Sequence, residues 1–253
     1  MRMARGRNPI TEPSRIRSRL VALVPALNEA GRIGKVLEVL RQVPRIDEII
    51  AIDDGSVDHM LEEIQQAAQL DPRVHIIRNE TNLGKGQSLF KAWRGARADY
   101  ILMLDADLIN LSPQKVLDLV QPVLDGDCDM TMGLFKGGNW KTDLSHLTTP
   151  WLTGQRCLRA DLFACISENA AHGYGFETAL TVAARQYGWA VRKVFLQGVS
   201  HPPNEGHRGF WRGVFNRARM YAQIVRAGLI TSQGPENGNG ARSGVKTEPR
   251  REI

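Results

Sequence analysis

The amino-acid sequence predicts an α/β protein with a mostly parallel sheet that is covered by helices on both faces. The first observation is an alternation of apolar strands and amphipathic helices, repeated four times within residues 20–124. Parallel strands need a crossover connection, which is most often a helix, so this alternation is typical of such a sheet. The second observation is that polar residues directly follow three of the strands, at the edge where such sheets bind ligands.

Short apolar runs define the predicted strands of this first part, which cover 20–24, 48–52, 74–78 and 99–104. Apolar residues three and four positions apart define the predicted helices, which cover 29–42, a segment around 60–68, a segment from Gly84 and 112–124. The last helix starts with Ser112 and Pro113, an N-cap residue followed by proline at the first helical position.

The periodicity weakens after residue 125. The expected order there is a strand, a loop, two helices, a strand and a basic helix, at 128–135, 136–149, 159–169, 175–187, 189–196 and 208–227. From the second helix, the side chains expected to face inward are Phe176, Leu180, Ala183, Ala184 and Tyr187. Residues 1–18 are predicted to be a disordered basic arm and 229–253 a disordered tail, which leaves one domain over 19–228.

Composition excludes several classes of protein. The chain has 253 residues, of which 42% are hydrophobic, enough for one well-filled domain. Its three cysteines (Cys128, Cys157 and Cys165) show no CxxC or Cys/His spacing, so we expect reduced, mostly buried thiols in a cytoplasmic protein. No apolar run is long enough for a transmembrane helix.

The net charge of +6 is concentrated near the two ends of the chain. Residues 1–19 carry six arginines against Glu12, and residues 205–226 carry five arginines against Glu205. The body between them is net acidic, so we expect no nucleic-acid partner, which would require a basic face. The basic ends suit an anionic surface, or they simply keep the chain soluble.

The sharpest motif is the pair Asp105 and Asp107, which follows an apolar strand directly. Two carboxylates so close repel each other, and a hard divalent cation such as Mg²⁺ or Mn²⁺ removes that cost while it binds substrate phosphates. A solvated turn or a helix cap is the alternative for an isolated pair. Acidic groups at three strand ends favour the metal site.

Two further motifs follow strands of the first part. In Asp53-Asp54-Gly55-Ser56, a carboxylate can accept a hydrogen bond from a base or a ribose hydroxyl; a plain turn is the alternative. In Asn82-Leu83-Gly84-Lys85-Gly86, two glycines, a helix N-terminus and a lysine suit a diphosphate, although a glycine-rich turn would look the same.

Taken together and in order, these motifs resemble the GT-A glycosyltransferases of family 2. The resemblance covers residues 20–225 and includes similarity to glucosyl-3-phosphoglycerate synthases and polyprenyl-phosphate glycosyltransferases. The segments that carry it are Val24-Pro25-Ala26-Leu27-Asn28-Glu29, the three motifs at 53–56, 82–86 and 105–108, Thr153-Gly154-Gln155-Arg156 and Gly173-Tyr174-Gly175-Phe176-Glu177-Thr178. It implies a GT-A (Rossmann-like) fold, with a nucleotide-sugar half over 19–124 and a C-terminal acceptor-side half over 125–228.

The resemblance also implies roles for individual donor-side residues. Pro25, Leu27 and Glu29 would line the nucleoside pocket, and Asp53 or Asp54 would read the base. Lys85 would contact the diphosphate, Asp105 would face the sugar or ribose, and Asp107 would hold the metal. His201 resembles a third metal ligand, which favours Mn²⁺ over Mg²⁺; a structural histidine is the alternative, and His207 is a weaker candidate.

On the acceptor side, the resemblance implies that Glu177 faces the acceptor. It would be the general base of an inverting enzyme or would position the acceptor in a retaining one, and a glutamate favoured by a helix dipole is the alternative. Gly154, Gln155 and Arg156 would line this side, with Arg156 binding an acceptor phosphate or carboxylate, unless it is an ordinary surface arginine.

The function that we expect is a metal-dependent glycosyltransferase, of the hexosyltransferase kind. It would move a sugar from a nucleoside-diphosphate sugar, with a UDP-sugar favoured, to an unidentified acceptor that is phosphorylated or a lipid phosphate. One alternative is a sugar-phosphate nucleotidylyltransferase, which would need a GxGxR-like loop where this chain has Pro25–Glu29. The other is a non-catalytic nucleotide-sugar-binding protein. A homodimer is a further expectation.

The basic segment 208–227 carries one apolar stripe, formed by Phe210, Trp211, Val214, Phe215, Ala218, Tyr221, Ala222 and Val225. A basic amphipathic helix of this kind can lie in a membrane interface, and packing on the domain is the competing interpretation. The membrane interpretation predicts peripheral attachment to an anionic cytoplasmic face. Flotation with anionic liposomes at low and high salt tests it, and absence of binding at low salt would remove it.

Overall fold

A computed structural model describes residues 17–137, 153–167 and 175–202 of the chain. The seven strands are β1 Leu20–Ala26, β2 Glu48–Asp53, β3 Val74–Arg78, β4 Tyr100–Met103, β5 Met130–Lys136, β6 Arg156–Arg159 and β7 Val191–Gln197. The α-helices are α1 Ile33–Arg41, α2 Met60–Leu70, α3 Lys85–Gly95, α4 Pro113–Leu124 and α5 Gly175–Gln186, and a 3₁₀ helix covers Ala160–Cys165. Within these described ranges, no helix has the length and apolarity that a bilayer crossing needs.

The strands form one mixed sheet in the order β3-β2-β1-β4-β6-β5-β7. β1 lies between β2 and β4 and is parallel to both, and β3 is parallel to β2. β6 is antiparallel to its neighbours β4 and β5, whereas β7 is parallel to β5. The predicted α/β class with a mostly parallel sheet is confirmed, and the carboxyl ends of β1, β2 and β4 meet at one edge.

Each face of the sheet carries its own hydrophobic core, because successive side chains of a strand point to opposite faces. Leu20, Ala22 and Val24 of β1 pack with α1, α2 and α4 on one face. Val21 and Leu23 of the same strand pack with α3, α5 and the 3₁₀ helix on the other. Burying both faces of the strand holds its carboxyl end rigidly in place.

The sequence-based prediction of the α4 start is confirmed in detail. Ser112 has an extended backbone conformation, and its side chain accepts a hydrogen bond from the backbone N–H of Lys115 at 3.5 Å. Pro113 is the first helical residue, where its missing N–H costs nothing. The buried face of the helix consists of Val116, Leu119, Val120 and Val123.

The second half of the chain departs from the prediction at two places. The predicted helix over 159–169 is wrong, because β6 ends at Arg159 and only the short 3₁₀ helix follows. A short apolar run has no periodicity that separates a strand from a helix. Tyr187, predicted to face inward, is 43% exposed because α5 has ended at Gln186, and its ring stacks on Trp189.

Several predictions fall on residues outside the described ranges. These are the basic arm over 1–16, most of the loop over 136–149, the basic helix over 208–227 with its apolar stripe, His207 and the tail over 229–253. All three cysteines are described and are free thiols; Cys128 and Cys157 are buried and Cys165 is half-buried. Burial raises the pKa of the Cys157 thiol above its usual value.

Candidate active site at the carboxyl edge of the sheet

The loops that follow β1 and β2 are joined by hydrogen bonds. The backbone N–H of Asn28 donates to Oγ of Ser56 at 3.0 Å, and Oδ1 of Asn28 accepts from the N–H of Val57 at 2.9 Å. Asn28 has a left-handed φ of 55°, which asparagine tolerates better than most residues. The two loops therefore form one rim, on which the side chain of Leu27 is exposed and Pro25 is buried within β1.

Glu29 lies on this rim beside the acidic pair that follows β4. Burial, together with the negative charges of Asp107 and Asp105, raises the pKa of Glu29 to about 7. The guanidinium of Arg32, 2.5 Å from Oε2 of Glu29, acts in the opposite direction. The rim therefore carries an excess of closely spaced carboxylates.

Asp53 ends β2 and is completely buried. Its Oδ1 accepts a hydrogen bond from the N–H of Ser56 at 2.8 Å. Its Oδ2 accepts no hydrogen bond from the described residues, although Nε of Arg78 lies 3.3 Å away in an ion pair. A buried carboxylate oxygen in this state has unused capacity for a donor from a ligand.

Asp54 is also buried, but both of its oxygens are engaged within the protein. Oδ1 accepts from Nδ2 of Asn79, Oγ of Ser88 and the N–H of Leu83, and Oδ2 accepts from the N–H of Gly84. These four bonds are 2.8–2.9 Å long and hold the loop before α3 against the end of β2. The sequence analysis missed Asn79 and Ser88, because polar neighbours such as Arg78, Glu80 and Gln87 leave them without a distinguishing signal.

Gly55 allows the loop before α3 to approach the end of β2. Its φ is +82°, and a Cβ there would lie 2.9 Å from the backbone nitrogen of Asn82. A side chain at this position would therefore be strained and would also push the loop away. Gly55 thus leaves the space in which the loop that begins at Asn82 packs against the end of β2.

Lys85 is the first residue of α3 and contacts two carboxylates. Its Nζ lies 2.6 Å from Oδ1 of Asp105 and 2.6 Å from Oε1 of Glu177, which is buried in the first turn of α5. Burial alone would lower the pKa of Lys85, but the two carboxylates raise it above its usual value. The lysine is therefore a cation that joins Asp105 to Glu177.

Asp105 is held on its other side by Gln155. The side-chain Nε2 of Gln155 donates to Oδ2 of Asp105 at 2.7 Å, and the backbone N–H of Asp105 donates to Oε1 of Gln155 at 3.0 Å. Burial would raise the pKa of Asp105, but the charges of Lys85 and His201 and these hydrogen bonds lower it to about 2. Asp105 is therefore an anion at neutral pH.

Gly154 lies against the Lys85–Asp105 pair. A Cβ at this position would be 2.5 Å from Nζ of Lys85 and 2.6 Å from Oδ1 of Asp105. Real Cβ atoms do not approach neighbours so closely, so any side chain here would displace the pair. Gly154 therefore leaves the space that the Lys85–Asp105 pair occupies.

Asp107 and His201 complete a candidate metal centre with Asp105. Nδ1 of His201 lies 2.9 Å from Oδ1 of Asp107, its Nε2 lies 3.9 Å from Oδ2 of Asp105, and one ligand atom from each residue falls within 4.8 Å of the others. Burial would lower the pKa of His201, but the hydrogen bond to Asp107 and the two carboxylates raise it. Two carboxylates and an imidazole fit a divalent cation such as Mn²⁺.

Arg156 is completely buried, so its interpretation as an ordinary surface arginine is wrong. Its Nε donates to the carbonyl of Thr153 at 2.9 Å, and a terminal nitrogen donates to Oγ1 of Thr181 at 3.1 Å. Burial lowers its pKa to about 10, against the opposing charge of Glu177. The guanidinium therefore ties the start of β6 to α5.

The structure thus brings most of the predicted residues to one edge. Lys85 contacts both Asp105 and Glu177, and Asp107 and His201 adjoin Asp105. Of the residues predicted to line the acceptor side, Gly154 and Gln155 contact the Lys85–Asp105 pair, and Arg156 lies in the interior. Carboxylate, imidazole and ammonium groups thus meet at one edge of the sheet.

The chain is similar in sequence to known glycosyltransferases. The model of the family described as glycosyl transferase family 2 matches residues 21–186. A glucosyl-3-phosphoglycerate synthase of Mycolicibacterium paratuberculosis is 33% identical over 114 residues, which are 42% of this chain and 33% of that protein. An undecaprenyl-phosphate 4-deoxy-4-formamido-L-arabinose transferase of Pectobacterium carotovorum is 34% identical over 110 residues, 41% of this chain and 33% of that protein.

The chain is also similar to solved structures. A glucosyl-3-phosphoglycerate synthase from Mycobacterium tuberculosis in complex with Mn²⁺ and UDP-glucose superposes with a TM-score of 0.69 at 23% identity, over 86% of this chain and 81% of that one. The likeness supports the GT-A fold. The matches span only about a third of the length of the two named transferases. With its family model covering most of the described residues, the chain belongs to glycosyltransferase family 2.

Proposed function

We propose that the protein is a metal-dependent glycosyltransferase that takes its sugar from a nucleoside-diphosphate sugar. The observation that carries the proposal is the single cluster formed by Asp105, Asp107, His201, Lys85 and Glu177 at the carboxyl edge of β1, β2 and β4. Each group has a part in glycosyl transfer, and the family membership is consistent with all of them. A UDP-sugar is the favoured donor, since the related synthase was solved with UDP-glucose.

On the donor side, we assign recognition of the nucleobase to Asp53 and not to Asp54. Asp53 is buried with one oxygen that accepts no hydrogen bond from the described part of the chain, whereas Asp54 already accepts four. Pro25, Leu27 and Glu29 line the nucleoside side of the same rim in this proposal. The role of Asp54 is then to fix the loop that presents Lys85.

Lys85 is placed to receive the diphosphate at the start of α3. A helix N-terminus and a lysine both favour anions there. In the structure the Nζ group is held by Asp105 and Glu177, so it is already oriented when a donor arrives. Asp107 and His201, with Asp105 beside them, would hold Mn²⁺ or Mg²⁺, which supplies Lewis-acid stabilisation of the departing nucleoside diphosphate.

Glu177 is the acceptor-side carboxylate in this proposal. It is buried, it lies in the first turn of α5, and its Oε1 is 2.6 Å from Nζ of Lys85. A carboxylate at that place can take the proton of an acceptor hydroxyl or orient that hydroxyl. Because Lys85 contacts both Asp105 and Glu177, only the ammonium group of Lys85 separates the donor-side carboxylate from the acceptor-side carboxylate.

The acceptor that we propose carries a phosphate. Two kinds of relative support this choice: one is named a glucosyl-3-phosphoglycerate synthase and the other an undecaprenyl-phosphate transferase. A synthase of the first kind, from Mycobacterium tuberculosis, has been solved with phosphoglyceric acid bound. Peripheral membrane attachment, a cytoplasmic location and a homodimer stay predictions, and the segment on which the membrane prediction depends lies outside the described residues.

A donor screen tests the proposal. The purified chain is incubated with UDP-, GDP-, ADP- and dTDP-sugars and Mn²⁺ or Mg²⁺, with and without a soluble phosphorylated acceptor or a polyprenyl phosphate, and release of nucleoside diphosphate is measured. We expect metal-dependent release with a UDP-sugar, increased by one acceptor class. Release of pyrophosphate from a nucleoside triphosphate and a sugar phosphate would instead identify a nucleotidylyltransferase, which the loop over 25–29 and the family do not favour.

A further inference from the structure

We propose that Gln155 is a positioning residue that fixes Asp105 for donor and metal binding, and that it does not act on the acceptor. The inference rests on the proposed function and deepens it, because it reassigns a residue whose place in the sequence suggested an acceptor contact. Gln155 is buried, with 1% of its surface exposed. Its side-chain amide faces Asp105 and is closed off from solvent.

The amide of Gln155 contacts Asp105 at two points. It accepts from the backbone N–H of Asp105 through Oε1 and donates to the carboxylate through Nε2, at 3.0 and 2.7 Å. One rigid planar group thus binds both the main chain and the side chain of the same residue. That geometry selects one side-chain rotamer of Asp105, since rotation about its Cα–Cβ bond would break the second contact.

Asp105 needs such a constraint because several charges act on its carboxylate. Lys85 holds Oδ1 at 2.6 Å, and Nε2 of His201 lies 3.9 Å from Oδ2. Without Gln155, the carboxylate could turn its second oxygen toward Lys85 or His201 and away from the position beside Asp107. The neutral amide anchors the Oδ2 oxygen without adding charge to a crowded acidic site.

Backbone contacts fix Gln155 next to the end of β4. β6 runs antiparallel to β4 with Arg156 opposite Met103, which brings residue 155 next to the end of β4. The N–H of Gly133 donates to the carbonyl of Gln155 at 2.8 Å, and a Cβ on Gly133 would lie 2.9 Å from Cβ of Gln155. Oγ1 of Thr153 accepts from the N–H of Gln155 at 3.3 Å and donates to the carbonyl of Gly133 at 2.7 Å.

The test compares Gln155→Met, which keeps the length of the side chain but loses the amide, with the control Gln121→Met. Gln121 makes a similar amide–carboxylate contact, 2.7 Å from Nε2 to Oδ1 of Asp125, on the exposed surface of α4. Mn²⁺ binding to the protein alone is followed by electron paramagnetic resonance, and UDP binding with Mn²⁺ is followed by calorimetry. Both affinities are expected to fall about tenfold or more for Gln155→Met and to be unchanged for Gln121→Met.

Kinetics separate positioning from acceptor binding. For Gln155→Met, the KM for the donor should rise while the KM for the acceptor is unchanged. If Gln155→Met does not fold, as judged by thermal denaturation, Gln155→Asn takes its place; its shorter amide cannot span both groups of Asp105 and should lose the same affinities. Wild-type Mn²⁺ and UDP affinities in the folded variant, or a rise confined to the acceptor KM, would overturn the inference.

The proposed function and this inference can fail separately. A wild-type protein that binds Mn²⁺ and UDP but transfers no sugar would contradict the proposed function while the binding comparison still decides the role of Gln155. A wild-type protein that binds neither would overturn both.

Discussion

Asp107→Ala is expected to abolish metal-supported turnover while the fold remains intact. Asp107 lies in the turn after β4, a quarter of its side chain is exposed, and its hydrogen bond is to Nδ1 of His201. Its removal leaves the candidate metal centre with one carboxylate and one imidazole. Changes that merely reorient a metal ligand cost 10–100-fold, so loss of a ligand should lower the metal-supported rate by at least about 100-fold.

The stability of the same variant should change little. Loss of one partly exposed hydrogen bond costs about 1 kcal/mol, and the removal of repulsion between two neighbouring carboxylates offsets part of it. Asp118→Ala is the matched control, since Asp118 accepts a hydrogen bond from Gln114 on the exposed face of α4. Nucleoside diphosphate release is titrated with Mn²⁺ for both variants. A normal Mn²⁺-supported rate for Asp107→Ala would show that Asp107 is not a metal ligand.

The sequence predicted the elements of residues 20–124 well because their signals are local. Periodicity located the strands and helices up to α4, and Ser112 and Pro113 fixed the start of that helix. Parallel strands place their carboxyl ends at one edge, so the neighbourhood of Asp53, Asp105 and the loop after β1 followed from the topology alone. These predictions needed no knowledge of individual side-chain contacts.

Other features depend on contacts between residues that are distant in sequence. Asp54 and Asp53 are adjacent and chemically identical, yet only the structure shows that Asp54 is engaged by Leu83 and Gly84. Gln155 and Asp105 are fifty residues apart, and their contact depends on β6, a strand that the sequence analysis did not predict. Without that strand, nothing in the sequence placed Gln155 beside Asp105 or Arg156 in the interior.

Glu177 provides the sharpest distinction between donor binding and transfer. The change Glu177→Gln removes the negative charge but keeps the shape of the side chain. In the wild type, Nζ of Lys85 lies 2.6 Å from Oε1 of Glu177, and the amide oxygen of the variant can still accept a hydrogen bond from it. Lys85 also keeps its contact with Asp105. We therefore expect the affinity for UDP with Mn²⁺ to stay within about twofold of the wild type, because two-fold corresponds to well under 1 kcal/mol.

Transfer should respond very differently to Glu177→Gln, because a neutral amide can neither take a proton from an acceptor hydroxyl nor orient it as strongly. General-base catalysis contributes about 100- to 10,000-fold, so we expect the transfer rate to fall by about 100-fold or more while UDP binding persists. The matched control is Glu38→Gln, a change of an exposed glutamate on α1. Calorimetry with UDP and a transfer assay at saturating donor separate the two effects. If UDP affinity collapsed while the rate from bound donor stayed normal, Glu177 would belong to the donor site, and its contact with Lys85 would be the reason.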